Sequence, residues 1–156
     1  MSKTTPATLA LDKAGVAYRL ATYDYDPDAE RVGLQAAEAL GAPPSEVLKT
    51  LMVKADGKPV CVVLASDREV SMKKLAAAMG AKSAEMMKSA DAERITGYRV
   101  GGVSPFGQKK AVPTLIDADA AALSDAFVNG GQRGLQVRLA PSELVRVLGA
   151  KVAAIS

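Results

Sequence analysis

The stretch LKTLMVKADGKPVCVVLA, residues 48–65, carries the clearest structural signal in this chain. Asp56 and Gly57 form a two-residue hairpin signal between two runs that are typical of strands. The second run is apolar on both faces, which indicates a central strand covered by helices. Cys61 lies within it, where a lone cysteine is most often a small buried hydrophobic residue. The hairpin therefore predicts the middle of a sheet.

Short helices and strands surround the hairpin without a regular βαβ period, and this pattern predicts a mixed fold rather than a doubly wound one. Helices are predicted over residues 5–15, 32–40, 72–79, 89–95, 118–123 and 141–148, with one helical turn within 42–47. Strands are predicted over residues 16–23, 84–87, 111–117, 126–128, 135–139 and 151–155. We expect an α/β fold of the α+β type, with a mixed, barrel-like sheet surrounded by short helices.

The composition is that of an ordinary globular domain. Of the 156 residues, 49% are hydrophobic and 24% are charged, so we expect one domain over residues 1–156. The net charge of +3 is too small to indicate nucleic-acid binding by itself. No stretch approaches the roughly 20 apolar residues of a membrane span, and we predict a cytoplasmic protein without membrane contacts.

The chain contains no histidine and only one cysteine. These counts exclude Ser-His-Asp and Cys-His catalysis, histidine-based zinc sites and an internal disulfide. An enzyme built from this chain would use lysine, carboxylates, tyrosine, backbone dipoles or groups of its substrate. We predict neither a cofactor nor a metal.

A glycine-rich segment, TGYRVGGVSPFGQKK at residues 96–110, follows the fourth predicted helix. Four glycines fall within residues 97–107, and Pro105 restricts the backbone between them. The segment is either a complex turn or a wall of backbone N–H groups that binds a carbonyl or a phosphate. No Gly-Lys-Ser/Thr follows, so it is not a nucleotide P-loop. Residues 129–134, NGGQRG, are predicted to form a second glycine-rich turn.

Lys49 interrupts the first strand of the hairpin. A lysine in a strand usually lies at an exposed edge. An inward-pointing ammonium would instead need an anion or a substrate, because an unpaired buried charge is costly. The residues alone leave both interpretations open.

Taken together, these segments resemble the YbaK-type aminoacyl-tRNA deacylases, which are relatives of the editing domain inserted in bacterial prolyl-tRNA synthetases. The similarity runs almost from end to end in the order and spacing of that family. It is carried by residues 47–53 (VLKTLMV), 72–76 (MKKLA), 80–82 (GAK), 96–110, 113–117 (PTLID) and 130–135 (GGQRGL).

The resemblance implies hydrolysis of the ester between a wrong amino acid and the 3′ end of a tRNA, with Cys-tRNA(Pro) or a related small amino acid as the expected substrate. In the cysteine-editing members the thiol of the substrate is thought to attack the ester carbonyl and give a thiolactone. The implied partners are the acceptor end of an aminoacyl-tRNA and, as a candidate, prolyl-tRNA synthetase.

The resemblance also assigns residues. Catalysis is expected at Lys49, Gly101 and Gly102. Substrate contacts are expected from Tyr23, Val103, Ser104, Pro105, Asn129, Gly130, Gly131 and Gln136. Candidate tRNA phosphate contacts are Lys73, Lys74, Lys109, Lys110 and Arg133, each of which is also compatible with a solvated surface residue.

Two positions depart from the cysteine-editing pattern, which has serine at the position of Asn129 and aspartate at that of Gln136. Glutamine cannot take up a proton, so alanine, serine, threonine and 2-aminobutyrate remain alternative substrates. Two other functions also stay open. One is a module that binds aminoacyl-tRNA or a synthetase without turnover, and the other is hydrolysis of a small ester or amide unrelated to tRNA.

Overall fold

The computed structural model describes residues 4–28 and 32–156, and its elements follow the predicted order closely. The helices are α1 (Pro6–Lys13), α2 (Val32–Leu40), α3 (Met72–Ala78), α4 (Ser89–Thr96), α5 (Ala118–Ala121) and α6 (Ser142–Leu148), with a 3-10 turn at Pro44–Glu46. The strands are β1 (Arg19–Thr22), β2 (Leu48–Ala55), β3 (Lys58–Ala65), β4 (Ala84–Met86), β5 (Thr114–Asp117), β6 (Ala126–Gln132), β7 (Leu135–Leu139) and β8 (Lys151–Ala153).

The β2–β3 hairpin forms the middle of the larger sheet, as the sequence predicts. Asp56 and Gly57 both have positive φ, 49° and 78°, as the favoured two-residue hairpin turn requires. β3 lies between β2 and β5 in the strand order β4-β2-β3-β5-β8. Cys61 on β3 is fully buried, and burial raises the pKa of its thiol to about 12. This thiol is therefore protonated and packed at neutral pH, which suits a core residue.

The mixed α/β class is confirmed, but the sheet does not close into a barrel. Strands β1, β7 and β6 form a separate antiparallel sheet. Among the described residues, the backbone pairing between the two sheets consists of one isolated parallel bridge, between Val47 and Phe127. The two sheets instead share a core in which Val63 and Met52 from one sheet pack with Val128 and Val137 from the other.

The segment predicted as a second glycine-rich turn is mostly strand. β6 continues through Gln132, and its pairing with β7 shifts register between Asn129 and Gln132. Gly131, with φ of 93°, lies within this bulge, so glycine serves a bulge here rather than a turn. Only Arg133 and Gly134 remain to connect β6 with β7.

The glycine loop, defined here as residues 97–107, is closed on itself and packed into the core. The Tyr98 hydroxyl donates a hydrogen bond to the Phe106 carbonyl at 2.6 Å, and Lys109 N–H donates to Thr96 O at 2.8 Å. Phe106 and Ser104 are fully buried, and the Ser104 hydroxyl accepts from Phe106 N–H at 3.2 Å. The loop thus has a fixed shape despite its glycines.

The contact of this loop with α1 gives a test of the fold. A Cβ at Gly107 would lie 2.9 Å from the Ala7 nitrogen and closer still to the Pro6 carbonyl, whereas one at Gly80 would meet nothing within 4 Å. Both glycines have the same left-handed backbone, with φ of 66° and 65°. Each alanine substitution therefore carries a similar strain of about 1–2 kcal/mol. We expect Gly107→Ala to lower the free energy of unfolding by about 1–3 kcal/mol more than Gly80→Ala.

Urea unfolding of the two variants beside wild type measures this difference. An equal decrease in the free energy of unfolding of the two variants would show that the loop does not pack tightly against the first turn of α1.

Candidate functional site

A cavity of about 590 Å³ opens between β2 and the surface formed by the glycine loop and the β6–β7 hairpin. Its volume lies in the range of small-molecule sites. The lining residues are Tyr23, Tyr25, Pro27, Leu34, Ala36, Val47, Leu48, Lys49, Thr50, Leu51, Met52, Ser66, Glu69, Met86, Met87, Ser89, Ala92, Val100, Gly101, Val103, Asn129, Arg133 and Gln136.

About half of the site residues expected from the sequence share this cavity. Those that line it are Tyr23, Lys49, Gly101, Val103, Asn129, Arg133 and Gln136. Those expected at the site that do not line it are Gly102, Ser104, Pro105, Gly130, Gly131, Lys73, Lys74, Lys109 and Lys110.

The loop residues that lie behind the cavity wall have packing roles. Gly102 N–H donates to the Arg99 carbonyl at 2.8 Å, and a Cβ at Gly102 would lie 2.7 Å from the Arg133 nitrogen. Ser104 is fully buried and uses its hydroxyl within the loop. These residues shape the wall from behind and leave the surface of the cavity to their neighbours Gly101 and Val103.

Two backbone donors of the loop remain available at the cavity. Among the residues that the structure describes, the N–H groups of Gly101 and Val103 have no hydrogen-bond acceptor, and both residues line the cavity. A preorganised N–H group without a partner can stabilise a developing oxyanion. Gly101 and Val103 are therefore candidate oxyanion donors, and Gly102, whose N–H is occupied, is not one in this arrangement.

Lys49 places a positive charge at the mouth of the cavity. Its Nζ lies 4.0 Å from Glu69 Oε1, and the two side chains are 20% and 87% exposed. An ion pair of this length, formed with a carboxylate this exposed, contributes little. The Lys49 ammonium therefore remains available to an incoming anion, such as a phosphate of the tRNA end.

Arg133 supplies a second cation at the rim. Its Nε donates to the Val100 carbonyl at 2.9 Å, and its guanidinium carbon lies 5.1 Å from the centroid of the Tyr25 ring. Stacking and hydrogen bonding together orient the guanidinium, which still has further N–H donors for a phosphate. Tyr25 also approaches Gly101, where a Cβ would lie 2.5 Å from its hydroxyl.

Asn129 joins the glycine loop to the bulge of β6. Its Nδ2 donates to the Gly101 carbonyl at 3.2 Å, and its Oδ1 accepts from Gly131 N–H at 2.7 Å. Both ends of the amide are thus engaged by backbone. Asn129 lines the cavity, but its hydrogen bonds serve to position Gly101.

Gln136 and Tyr23 contribute buried polar groups to the wall of the cavity. Gln136 is only 4% exposed, and its Oε1 has no hydrogen-bond partner among the described residues. Burial raises the pKa of the Tyr23 hydroxyl, while hydrogen bonds from the Gln136 side chain and the Gly134 backbone act in the opposite direction. Tyr23 is therefore a neutral donor and acceptor at physiological pH.

The remaining lysines of the expected tRNA surface lie elsewhere. Lys74 Nζ donates to the Ser156 carbonyl at 2.8 Å, and Lys73 borders a separate, shallow depression of about 360 Å³. Lys109 and Lys110 are exposed, while their backbone N–H groups close the base of the loop on Thr96 and Ile95. Their role in tRNA binding stays a prediction.

Sequence reasoning did not identify several lining residues. Glu69 lies in the loop after β3, and nothing in the local sequence distinguishes it from other solvated carboxylates. Tyr25 sits in the acidic loop after β1, where its neighbours argue against phosphate. Thr50 lies in the segment 47–53 that carries the family resemblance, but no role was assigned to it, and Met86 lies in no motif. The fold brings these residues together across segments distant in the chain.

Within the described part of the chain, no cluster of histidine, cysteine, aspartate or glutamate residues is suited to hold a metal ion. The helices described there are all too short or too polar to cross a bilayer.

The chain is similar to known aminoacyl-tRNA editing proteins. Residues 26–147 match the model of the aminoacyl-tRNA editing domain. The chain is 38% identical over 121 residues to the Enterococcus faecalis protein named "Putative Cys-tRNA(Pro)/Cys-tRNA(Cys) deacylase EbsC", covering 77% of this chain and 74% of that protein. It is 33% identical over 87 residues to the proline–tRNA ligase of Acidithiobacillus ferrooxidans, covering 56% of this chain and 15% of the ligase.

The fold itself has a close counterpart among solved structures. A structure described as "a putative trans-editing enzyme for prolyl tRNA synthetase" superposes with a TM-score of 0.84 at 23% identity, covering 99% of both chains. The matched family model extends over most of the chain, from the acidic loop to α6. The chain belongs to the aminoacyl-tRNA editing domain family.

Proposed function

We propose that the protein hydrolyses, in trans, the ester of a small amino acid mischarged on tRNA(Pro). The observation that carries this proposal is that Lys49 lines the same cavity as Gly101 and Val103, whose N–H groups have no acceptor among the described residues. The relatives support the choice of tRNA, because one is named for Cys-tRNA(Pro) and others are proline–tRNA ligases. Prolyl-tRNA synthetase is accordingly the candidate partner that shares this tRNA.

The cavity suggests how the ester would be held. Lys49 and Arg133 lie at the mouth, where the terminal nucleotide and its phosphates would enter, and both are suited to bind phosphate. The amino acid would then extend inward beside the glycine loop. Gly101 and Val103 would donate to the carbonyl oxygen as it gains negative charge on attack.

An aminoacyl ester is already activated, so oxyanion stabilisation and orientation can supply much of the rate enhancement. A well-placed oxyanion donor contributes roughly 3 kcal/mol. Glu69 is the only carboxylate among the lining residues that the structure describes, and it is highly exposed. The attacking group is therefore best assigned to water assisted by the ribose hydroxyl of the substrate, with the protein holding the geometry.

Lys49 gives the first test of this proposal. We expect Lys49→Ala to lower kcat/KM for deacylation of mischarged tRNA(Pro) by about 100-fold or more, because the charge that anchors the tRNA end is lost. Lys54→Ala is a matched control on the same strand, since Lys54 pairs with Asp91 at 3.7 Å and does not line the cavity. Single-turnover deacylation with both variants measures the effect.

A Lys49→Ala variant as active as Lys54→Ala would remove Lys49 from the site. Salt-sensitive binding of aminoacyl-tRNA by wild type with no hydrolysis would instead support a binding module.

Asn129 gives the second test. Aspartate is close in shape and keeps the acceptor for Gly131 N–H, but it cannot donate to the Gly101 carbonyl. We expect Asn129→Asp to lower kcat by about tenfold with a smaller change in KM, because the loop donors lose their alignment while the mouth cations remain. Steady-state kinetics, with a thermal melt to verify folding, measures this. An increase confined to KM would mean that Asn129 contacts the bound substrate instead.

A further inference from the structure

We infer that the inner end of the cavity recognises a hydroxyl group on the side chain of the amino acid, so that serine and threonine esters are preferred over alanine and 2-aminobutyrate. This inference rests on the proposed function and specifies its substrate class. The side chain that would accept a hydrogen bond from the substrate hydroxyl is Gln136, and the Tyr23 phenol lies beside it.

Gln136 has an acceptor that the protein does not satisfy. It lies on β7, which is paired on both sides by β1 and β6, so the backbone holds the residue in place. The side chain is 96% buried, lines the cavity, and carries an Oε1 atom without a hydrogen-bond partner among the described residues. Buried polar atoms are almost always paired in folded proteins. A donor on the substrate would complete this site.

The neighbouring polar groups leave Gln136 Oε1 unpaired. The hydrogen bond between Gln136 and Tyr23 lowers the pKa of the phenol, so the glutamine amide is its donor and the phenol oxygen its acceptor. The Asn129 amide is engaged at both ends by Gly101 and Gly131. Thr50, which also lines the cavity, likewise has a buried hydroxyl without a partner. Two lining residues therefore each carry a buried polar atom without a protein partner, and a substrate donor could satisfy such an atom where an aliphatic side chain could not.

The donor is better assigned to the amino-acid side chain than to the α-ammonium. The tRNA remains outside, so the ester and the α-carbon lie nearer to the mouth than the tip of the side chain does. Glu69, the only carboxylate among the described lining residues, stands at that mouth next to Lys49 and attracts an ammonium. Gln136 is neutral and buried, and it suits the uncharged donor at the inner end.

The candidate substrates differ in how strongly their side chains can donate a hydrogen bond to Gln136. An O–H group is a strong donor, an S–H group is a weak one, and a methyl group leaves Gln136 Oε1 unpaired. A site that hydrogen-bonds a hydroxyl discriminates against the analogue lacking it, because its own polar atom stays buried and unsatisfied. We therefore expect hydroxyl-bearing substrates first, cysteine next, and alanine and 2-aminobutyrate last.

The test uses two pairs of amino acids that differ by a single hydroxyl, serine with alanine and threonine with 2-aminobutyrate, each charged on the same tRNA(Pro). We expect kcat/KM of the wild-type protein to be at least about tenfold higher for the hydroxyl-bearing member of each pair. Equal rates within both pairs would overturn the inference. This comparison requires no mutation.

The Gln136→Met variant then tests whether Gln136 causes the preference for hydroxyl-bearing amino acids, because methionine has a similar size and no strong acceptor. We expect the serine-to-alanine ratio of kcat/KM to fall to about one to three. Gln132→Met is the matched control, since Gln132 is a half-buried glutamine on β6 that does not line the cavity, and it should keep the wild-type ratio. A Gln136→Met variant that slows both esters equally would contradict the role in selectivity.

Failure of this inference can be distinguished from failure of the proposed function. Hydrolysis of all members of the panel without preference would refute hydroxyl recognition and leave the deacylase intact. Absence of hydrolysis for every ester, with the protein folded, would refute the deacylase and the inference together.

Discussion

The close approach of backbone to backbone at Gly102 and Gly107 is the constraint on which the candidate site depends. At Gly107 the glycine loop contacts the first turn of α1, and at Gly102 it contacts the β6–β7 connection. Neither position has room for a side chain. Because the loop is wedged between these two elements, Gly101 and Val103 are held at the cavity surface without help from a ligand. Such preorganisation is what makes backbone N–H groups useful to a developing oxyanion.

The two sheets divide the tasks of the site between them. β2 of the larger sheet brings Lys49 to the mouth, whereas β6 and β7 of the smaller sheet supply the amides Asn129 and Gln136. Asn129 then links the smaller sheet to the glycine loop through the Gly101 carbonyl. The cations Lys49 and Arg133 are partly buried in the lining, and a bound phosphate of the tRNA end would offset the cost of their burial. Neutral polar groups line the interior, where burial would penalise a charge.

The sequence predicted those parts of the fold that local chemistry determines. The β2–β3 hairpin has the expected bounds because Asp56 and Gly57 specify the turn and the apolar run specifies burial. The separation into two sheets and the bulge at Asn129 were not predicted, since both depend on pairing between distant segments. The same limit applies to the site. Lys49 could be anticipated through the family resemblance, whereas Glu69 joins the cavity only through the folded arrangement of its loop.

The absence of histidine has a consequence for how selectivity could be achieved in this site. With no histidine to act as a base, catalysis would rely on holding the ester against fixed donors, and any small aminoacyl ester that fits would react. Size alone discriminates weakly between substrates, because one methylene changes the binding free energy by only about 1–3 kcal/mol. A buried acceptor such as Gln136 Oε1 discriminates more strongly, because it stays unpaired at a cost in free energy when the bound substrate lacks a donor. The unpaired Gln136 amide oxygen would thus supply the specificity that the proposed catalytic groups do not provide themselves.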